Sequence, residues 1–216
     1  SMHLIFQKRE ITNPISDQDQ SELGLNQITA SLLAKRGITK SADLHYWLQG
    51  QLAELADPFL FNQMDQAVER IFAALDNEEL ITVYGDYDAD GITSTAVLVE
   101  TLQILGANVN YYIPNRFTDG YGPNLAKYQE LIAQGTKLLI TVDNGITGVA
   151  EVAYAKEHGV DVIITDHHTL GDTLPDAFAI IHPKLPTQKY PFHDFSGVGV
   201  AYSLARALMD GDLLED

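Results

Sequence analysis

Acidic residues and a pair of histidines follow three short apolar segments of this chain. They are Asp86, Asp88 and Asp90 in GDYDADG, Asp143 in DNG, and the triplet Asp166-His167-His168. Taken one at a time, an Asp after an apolar segment is most often a helix cap or a turn residue. Five carboxylates brought together would repel one another, raise their pKa values and destabilise the fold unless a cation neutralised them.

Carboxylate and imidazole donors without sulfur suit Mn²⁺ or Mg²⁺ better than a structural Zn²⁺. The chain has no cysteine, so thiolate metal sites, cysteine nucleophiles and disulfides are excluded. Divalent ions at such a cluster activate water and neutralise charge on phosphate oxygens. The pattern therefore predicts phosphoryl-transfer chemistry.

The loop that holds the first three acids argues against a dinucleotide-binding Rossmann domain. Phosphate-binding loops of the GxGxxG or GxxxxGK[ST] type rely on glycines and on backbone N–H groups that face the phosphate. Here the same position carries three aspartates, which would repel a phosphate in the absence of metal.

From residue 80 onwards, β-rich segments alternate with helical patterns, which predicts an α/β fold with a doubly wound, mainly parallel sheet. The expected strands are Leu80–Tyr84, Val109–Ile113, Lys137–Val142, Val160–Thr165 and Ala179–His182. The expected helices are Thr93–Leu105, Asn124–Gln134, Gly148–His158 and Val198–Met209. Ligands of open α/β sheets bind beyond the carboxyl ends of the strands, so the acids and histidines are expected at one sheet edge.

Residues 1–78 show mainly helical patterning, for example in Gln27–Arg36 and Met64–Leu75. Their apolar residues recur every three or four positions, as in amphipathic helices. We therefore expect a helical N-terminal extension at 1–78 and a catalytic domain at 79–216.

The 216 residues carry a formal net charge of −17. Nucleic-acid binders grip phosphates with Lys and Arg, so this charge predicts that the chain alone holds DNA weakly. No apolar run approaches the roughly 18 residues of a membrane span, and the N-terminus lacks a signal-peptide pattern. Together with the absence of cysteine, this predicts a soluble, cytoplasmic protein without membrane association.

The motifs resemble those of the DHH phosphoesterase superfamily, and within it the bacterial exonucleases specific for single-stranded DNA. The matching segments are YGDYDADGITSTA (Tyr84–Ala96), IPNRFTDGYG (Ile113–Gly122), LLITVDNGI (Leu138–Ile146), VIITDHH (Val162–His168) and YPFHDFSGVGVAY (Tyr190–Tyr202). The resemblance implies metal-dependent phosphodiester hydrolysis, as a 5′→3′ exonuclease on single-stranded DNA in repair and recombination.

Residue roles follow from the resemblance, motif by motif. It implies that Asp86, Asp88, Asp143 and His167 are ligands of Mn²⁺ or Mg²⁺. Within the DHH triplet, it implies that His168 contacts the scissile phosphate and that Asp166 ligates the metal or orients its neighbours. It also implies that Asp90 is a further acid of the catalytic group.

Two further segments are candidates for binding the phosphates of DNA. Arg116 in IPNRFTDGYG can clamp a phosphate through its planar guanidinium, although a salt bridge to Asp119 is an equal alternative. Ser196, Gly197 and Gly199 open the last expected helix, where backbone N–H groups and the helix dipole favour an anion. Tight packing of that helix on a strand is the alternative there.

The resemblance also implies a fourth-motif aspartate and further domains beyond the acidic segment DGDLLED, so we expect the chain to be the truncated N-terminal part of a longer enzyme. Activity of this part alone is left open, as are its protein partners. Two other functions stay open: a DHH phosphoesterase that acts on small phosphate substrates, and a non-catalytic DHH-like scaffold.

Overall fold

The computed structural model describes residues 57–115, 117–118, 120, 122–187 and 197–214. They belong to one compact unit, Ala56–Asp216. The predicted helix Gln27–Arg36 lies outside the described residues.

Strands and helices alternate along the described part of the chain. After a 3₁₀ turn at Pro58–Leu60, the helices are α1 (Met64–Asp76), α2 (Ala89–Ile104), α3 (Leu125–Ala133), α4 (Val149–Glu157) and α5 (Gly197–Leu214). The strands are β1 (Ile81–Tyr84), β2 (Val109–Tyr112), β3 (Leu138–Val142), β4 (Asp161–Thr165) and β5 (Ala179–Ile181). None of the described helices is both long and apolar enough to span a bilayer.

The five strands form one sheet in the order β2-β1-β3-β4-β5, and every neighbouring pair is parallel. From β1 the chain moves to β2 at one edge and then returns to β3 on the other side of β1. The direction of strand addition therefore reverses between β1 and β3. In open parallel sheets, the crevice at such a switch point is where ligands bind.

Helices cover both faces of the sheet. Right-handed crossovers place α2 on one face and both α3 and α4 on the other, because the chain moves in opposite directions across the sheet. Helix α5 packs with both α1 and α2, whereas α3 packs with α4. The main apolar core lies under α1, α2 and α5 and includes Met64, Val83, Leu98, Ile140 and Leu204.

The predicted α/β fold is confirmed, and each strand lies within one or two residues of its expected bounds. Two helices differ. Helix α2 begins at Ala89 rather than Thr93, because the Asp88 carboxylate accepts a hydrogen bond from the Gly91 N–H and caps the helix. Helix α5 continues to Leu214 beyond the expected end at Met209.

Arg70 connects α1 to the sheet. Its Nε lies 2.7 Å from Asp161 Oδ2, at the start of β4, and its Nη2 lies 2.7 Å from Glu79 Oε1. The end of the expected N-terminal extension thus shares a core and ion pairs with the sheet. The expected boundary between residues 78 and 79 stays a prediction.

Candidate metal centre

The exits of β1, β3 and β4 bring six of the predicted site residues together at the carboxyl edge of the sheet. In each of two overlapping groups, one donor atom per residue lies within 4.8 Å of the others. The first group is Asp86, Asp88 and Asp143, and the second is Asp143, Asp166, His167 and His168. Asp143 is common to both groups and follows β3, one of the two strands that flank the switch point.

Two glycines let the loop after β1 fold tightly against α2. A Cβ added to Gly85 would lie 2.2 Å from Thr95 Oγ1, and one added to Gly91 would lie 2.6 Å from the Asp86 Cβ. Real Cβ atoms do not approach other heavy atoms this closely, so any larger residue would displace the loop. The glycines of GDYDADG therefore hold its acids against the first turn of α2.

Asp86 and Asp88 each use one carboxylate oxygen to fix their own loop. Asp86 Oδ1 accepts a hydrogen bond from the Tyr87 N–H at 2.7 Å, and Asp88 Oδ1 accepts one from the Gly91 N–H at 2.6 Å. Burial raises the pKa of Asp86, and the charges of Asp88 and Asp143 raise it further. A nearby cation would reverse this effect, because it favours the ionised carboxylate.

Asp143 occupies a strained and buried position. Its φ of 60° is in the left-handed region, which costs an L-residue on the order of 1 kcal/mol or more, although Asp tolerates it better than most. The side chain is 7% exposed, and Oδ1 lies 2.7 Å from His167 Nε2. Despite this distance, Oδ1 has no hydrogen-bond partner among the described residues.

The unsatisfied Asp143 oxygen fits a cation. A buried polar oxygen without a hydrogen bond is costly, so such atoms usually have a partner of another kind. Here a carboxylate oxygen and an imidazole nitrogen lie close together without the alignment of a hydrogen bond. Two ligands of one ion have this relation, and their oxygen and nitrogen donors suit Mn²⁺ or Mg²⁺.

Asp166 is almost fully buried, and both of its oxygens are engaged. Oδ1 accepts hydrogen bonds from the backbone N–H groups of His167 and His168, at 2.7 and 3.2 Å, and lies 2.6 Å from His168 Nδ1. Oδ2 accepts a hydrogen bond from the Ile146 N–H at 3.1 Å. Burial opposes ionisation of this carboxyl, but the bonds from His168 and Ile146 outweigh it and lower the pKa of Asp166.

The same contact acts on His168. Its hydrogen bond to Asp166, and then the charges of Asp166, Asp143 and Asp86, raise the pKa of His168 to about 9. The imidazole is thus cationic at neutral pH in the metal-free site. Its side chain is 54% exposed, so it lies at the mouth of the cluster.

Asn144 has a role that its place in the DNG motif did not reveal. Its Nδ2 lies within hydrogen-bond distance of three backbone carbonyl oxygens: Tyr84 at 3.2 Å, Gly85 at 3.1 Å and Val142 at 2.9 Å. This one amide connects the exit of β1 to the exit of β3. It therefore sets the spacing between Asp143 and the acids of the first loop.

The remaining predicted site residues lie at the margins of the described structure. Asp90 is in the first turn of α2, with no described side chain, and Gly197 and Gly199 are in the first turn of α5. Arg116 and Ser196 lie outside the described residues. The roles expected for these five residues stay predictions.

Comparison with known proteins shows which family the chain belongs to. Residues 80–215 match the model of the DHH family, N-terminal domain. The chain belongs to the DHH family. In this DHH domain, the exit of β4 carries the triplet Asp166-His167-His168.

Several curated DHH relatives are similar over most of this chain. The single-stranded-DNA-specific exonuclease RecJ of Bacillus subtilis is 47% identical over 96% of the chain, which spans 27% of that protein. The RecJ protein of Salmonella typhimurium is 41% identical over 94% of the chain, which spans 35% of that protein. The chain thus corresponds to about a third or less of these relatives.

Solved structures show the same fold. A crystal structure of exonuclease RecJ bound to manganese has a TM-score of 0.64 and is 40% identical, covering 73% of this chain and 40% of its own. RecJ from Thermus thermophilus in complex with Mn²⁺ has a TM-score of 0.61 and is 31% identical, covering 92% of this chain and 28% of its own.

Proposed function

We propose that this chain is the catalytic DHH part of a metal-dependent phosphodiesterase, a 5′→3′ exonuclease that degrades single-stranded DNA during repair and recombination. The observation that carries the proposal is the position of Asp143. One buried carboxylate at the switch point belongs to both ligand groups and has an oxygen without a hydrogen bond among the described residues. The substrate is inferred from the RecJ relatives, whose name specifies single-stranded DNA. The 5′→3′ polarity is inferred from the resemblance of the motifs alone.

The proposed ligands are Asp86, Asp88, Asp143 and His167, and the proposed ion is Mn²⁺ or Mg²⁺. Both relatives with the same fold cited above were crystallised with manganese. When bound, such ions supply activation of a water molecule and neutralisation of charge on the phosphate oxygens. Asp143 would contribute to both parts of the centre, since it lies in both groups.

Two residues of the DHH triplet, His168 and Asp166, have different proposed roles. The hydrogen bond to Asp166 raises the pKa of His168, and its side chain is exposed, so the protonated ring can donate a hydrogen bond to a phosphate oxygen where negative charge develops. Asp166 holds that ring and the backbone of both histidines. Because both oxygens of Asp166 already accept hydrogen bonds, we assign it to orienting its neighbours rather than to binding metal.

The phosphates of the DNA strand would be held by Arg116 and by the start of α5 at Ser196, Gly197 and Gly199. Asp90 remains a proposed further acid beside the catalytic group. We place the enzyme in the cytoplasm, where a chain without cysteine is at no disadvantage. The net charge of −17 supports only weak binding of DNA by this chain alone.

Digestion of labelled oligonucleotides tests the proposal. A single-stranded oligonucleotide with a 3′ label, incubated with Mn²⁺, should lose mononucleotides from its 5′ end, whereas a duplex of the same sequence should persist. Asp143→Ala should abolish cleavage, and Asp172→Asn, which changes an exposed acid outside the cluster, should not. Cleavage by Asp143→Ala at the rate of the parent chain would refute the assigned site.

Two other outcomes separate the alternatives. Hydrolysis of pyrophosphate or dinucleotides, with long single strands left intact, would indicate a DHH phosphoesterase for small substrates. If calorimetry detects no Mn²⁺ binding, the non-catalytic scaffold is the function that remains for this chain.

A further inference from the structure

His182, the residue that follows β5, lies fully buried behind the DHH triplet. Its Nε2 lies 2.7 Å from the carbonyl oxygen of His168, and its Nδ1 lies 3.0 Å from the backbone nitrogen of Lys184. The Lys184 N–H can only donate, so Nδ1 must be the acceptor and the ring proton must be on Nε2. His182 therefore donates a hydrogen bond to the His168 carbonyl.

The exit of β5 thus holds the DHH loop at both ends. The Asp166 N–H donates to the Ile181 carbonyl at 3.2 Å, and His182 holds the carbonyl of the last triplet residue. Between these points, the rings of His167 and His168 lie with their centroids 4.5 Å apart. A shift of the backbone at His168 would move its ring away from Asp166 and disturb the neighbouring His167.

We infer that His182 is a positioning residue for the metal centre. Its Nε2–H fixes the His168 peptide so that the His167 imidazole faces Asp143, from which it lies 2.7 Å away. The inference rests on the proposed metal-binding function of the cluster. It assigns a role to a buried histidine whose two ring nitrogens both contact backbone groups.

Burial is consistent with a neutral ring. His182 is inaccessible to solvent, and burial lowers its pKa, so the imidazole keeps one proton. With Nδ1 occupied by the Lys184 N–H, that proton has a single place on the ring. The His182 imidazole therefore keeps one tautomer, in which Nε2–H donates to the His168 carbonyl.

Two substitutions of similar length separate the hydrogen bond from the packing. In His182→Gln the amide nitrogen reaches about as far as Nε2 and can still donate, whereas His182→Met fills similar space without a donor. Mn²⁺ binding to the metal-free chain is then measured by titration calorimetry. We expect His182→Met to bind Mn²⁺ about 10–100-fold more weakly, as for other residues that orient metal ligands, and His182→Gln to recover most of the affinity.

Unchanged Mn²⁺ affinity in folded His182→Met would overturn the inference, and so would equal losses in both variants. If the Met variant does not fold, ¹⁵N NMR of histidine-labelled parent chain still decides, because the inference requires a neutral His182 ring with its proton on Nε2. A proton on Nδ1 would contradict it. A parent chain that binds Mn²⁺ without cleaving DNA would refute nuclease activity of this chain alone and leave the role of His182 standing.

Discussion

Replacing Asp166 with Asn tests whether this carboxylate organises the DHH loop. The substitution keeps the shape of the side chain but leaves one acceptor oxygen where the native residue has two. If the amide oxygen takes the place of Oδ1, the amide nitrogen faces the Ile146 N–H, and two donors oppose each other. In the reverse orientation, the amide nitrogen faces the donors of His167 and His168, so more donors oppose each other and the loss of stability is larger.

The expected loss of stability follows from these contacts. The buried Ile146 N–H would lose its acceptor, which costs about 1–3 kcal/mol. The bonds at the other oxygen would fall from the roughly 1.5–3 kcal/mol of a charged acceptor towards about 0.5–1.5 kcal/mol. Because contributions within one network do not add, we expect a total of about 3 kcal/mol. For a chain of this size, that lowers Tm by about 6–12 °C.

Thermal and urea unfolding in EDTA, followed by circular dichroism, measure this difference without interference from metal. Asp172→Asn is the matched control, because it removes one negative charge at an exposed position a few residues further along the chain. The control should stay within about 0.5 kcal/mol of the parent. If Asp166→Asn were no less stable than this control, the Asp166 hydrogen bonds would not be what holds the loop.

Three further predictions concern residues that hold the strands and loops around the metal centre. Gly85→Ala should destabilise the chain by about 1–3 kcal/mol, since its Cβ would lie 2.2 Å from Thr95 Oγ1, and the double variant with Thr95→Ala should recover part of this loss in thermal unfolding. Asn144→Ala should weaken Mn²⁺ binding about 10-fold or more by calorimetry, because the β1 and β3 exits lose their shared amide; unchanged affinity would contradict this. Arg70→Met should cost about 1 kcal/mol in urea unfolding, because its ion pairs are partly exposed, and should leave Mn²⁺ affinity unchanged.

The sequence predicted the strands well because buried parallel strands read as short apolar runs between glycines and helical patterns. It also predicted which residues meet, since parallel strands deliver their exits to one edge. The start of α2 was predicted too late because Asp88 was assigned as a metal ligand, whereas its Oδ1 also caps the helix.

Asn144 and His182 could not be assigned roles in the same way. Asn144 contacts carbonyl groups 59 and 60 positions away, and His182 contacts one 14 positions away. Each hydrogen bond goes to a backbone carbonyl, which every residue possesses. The residue type of the partner therefore gives no sequence signal for the contact. Only the packing of neighbouring strand exits makes these side chains part of the site.

The carboxylates of the centre differ in how their oxygens are used, and this difference indicates a site that is shaped before a cation arrives. Asp86 and Asp88 each give one oxygen to a backbone N–H of their own loop, and within the described residues the other accepts no hydrogen bond. Asp166 gives both oxygens to the polypeptide, whereas Asp143 is fixed by its backbone bond to Thr165 and keeps Oδ1 unsatisfied. These ties are independent of metal. The binding free energy of a cation would therefore go into relieving repulsion among fixed carboxylates rather than into ordering loops.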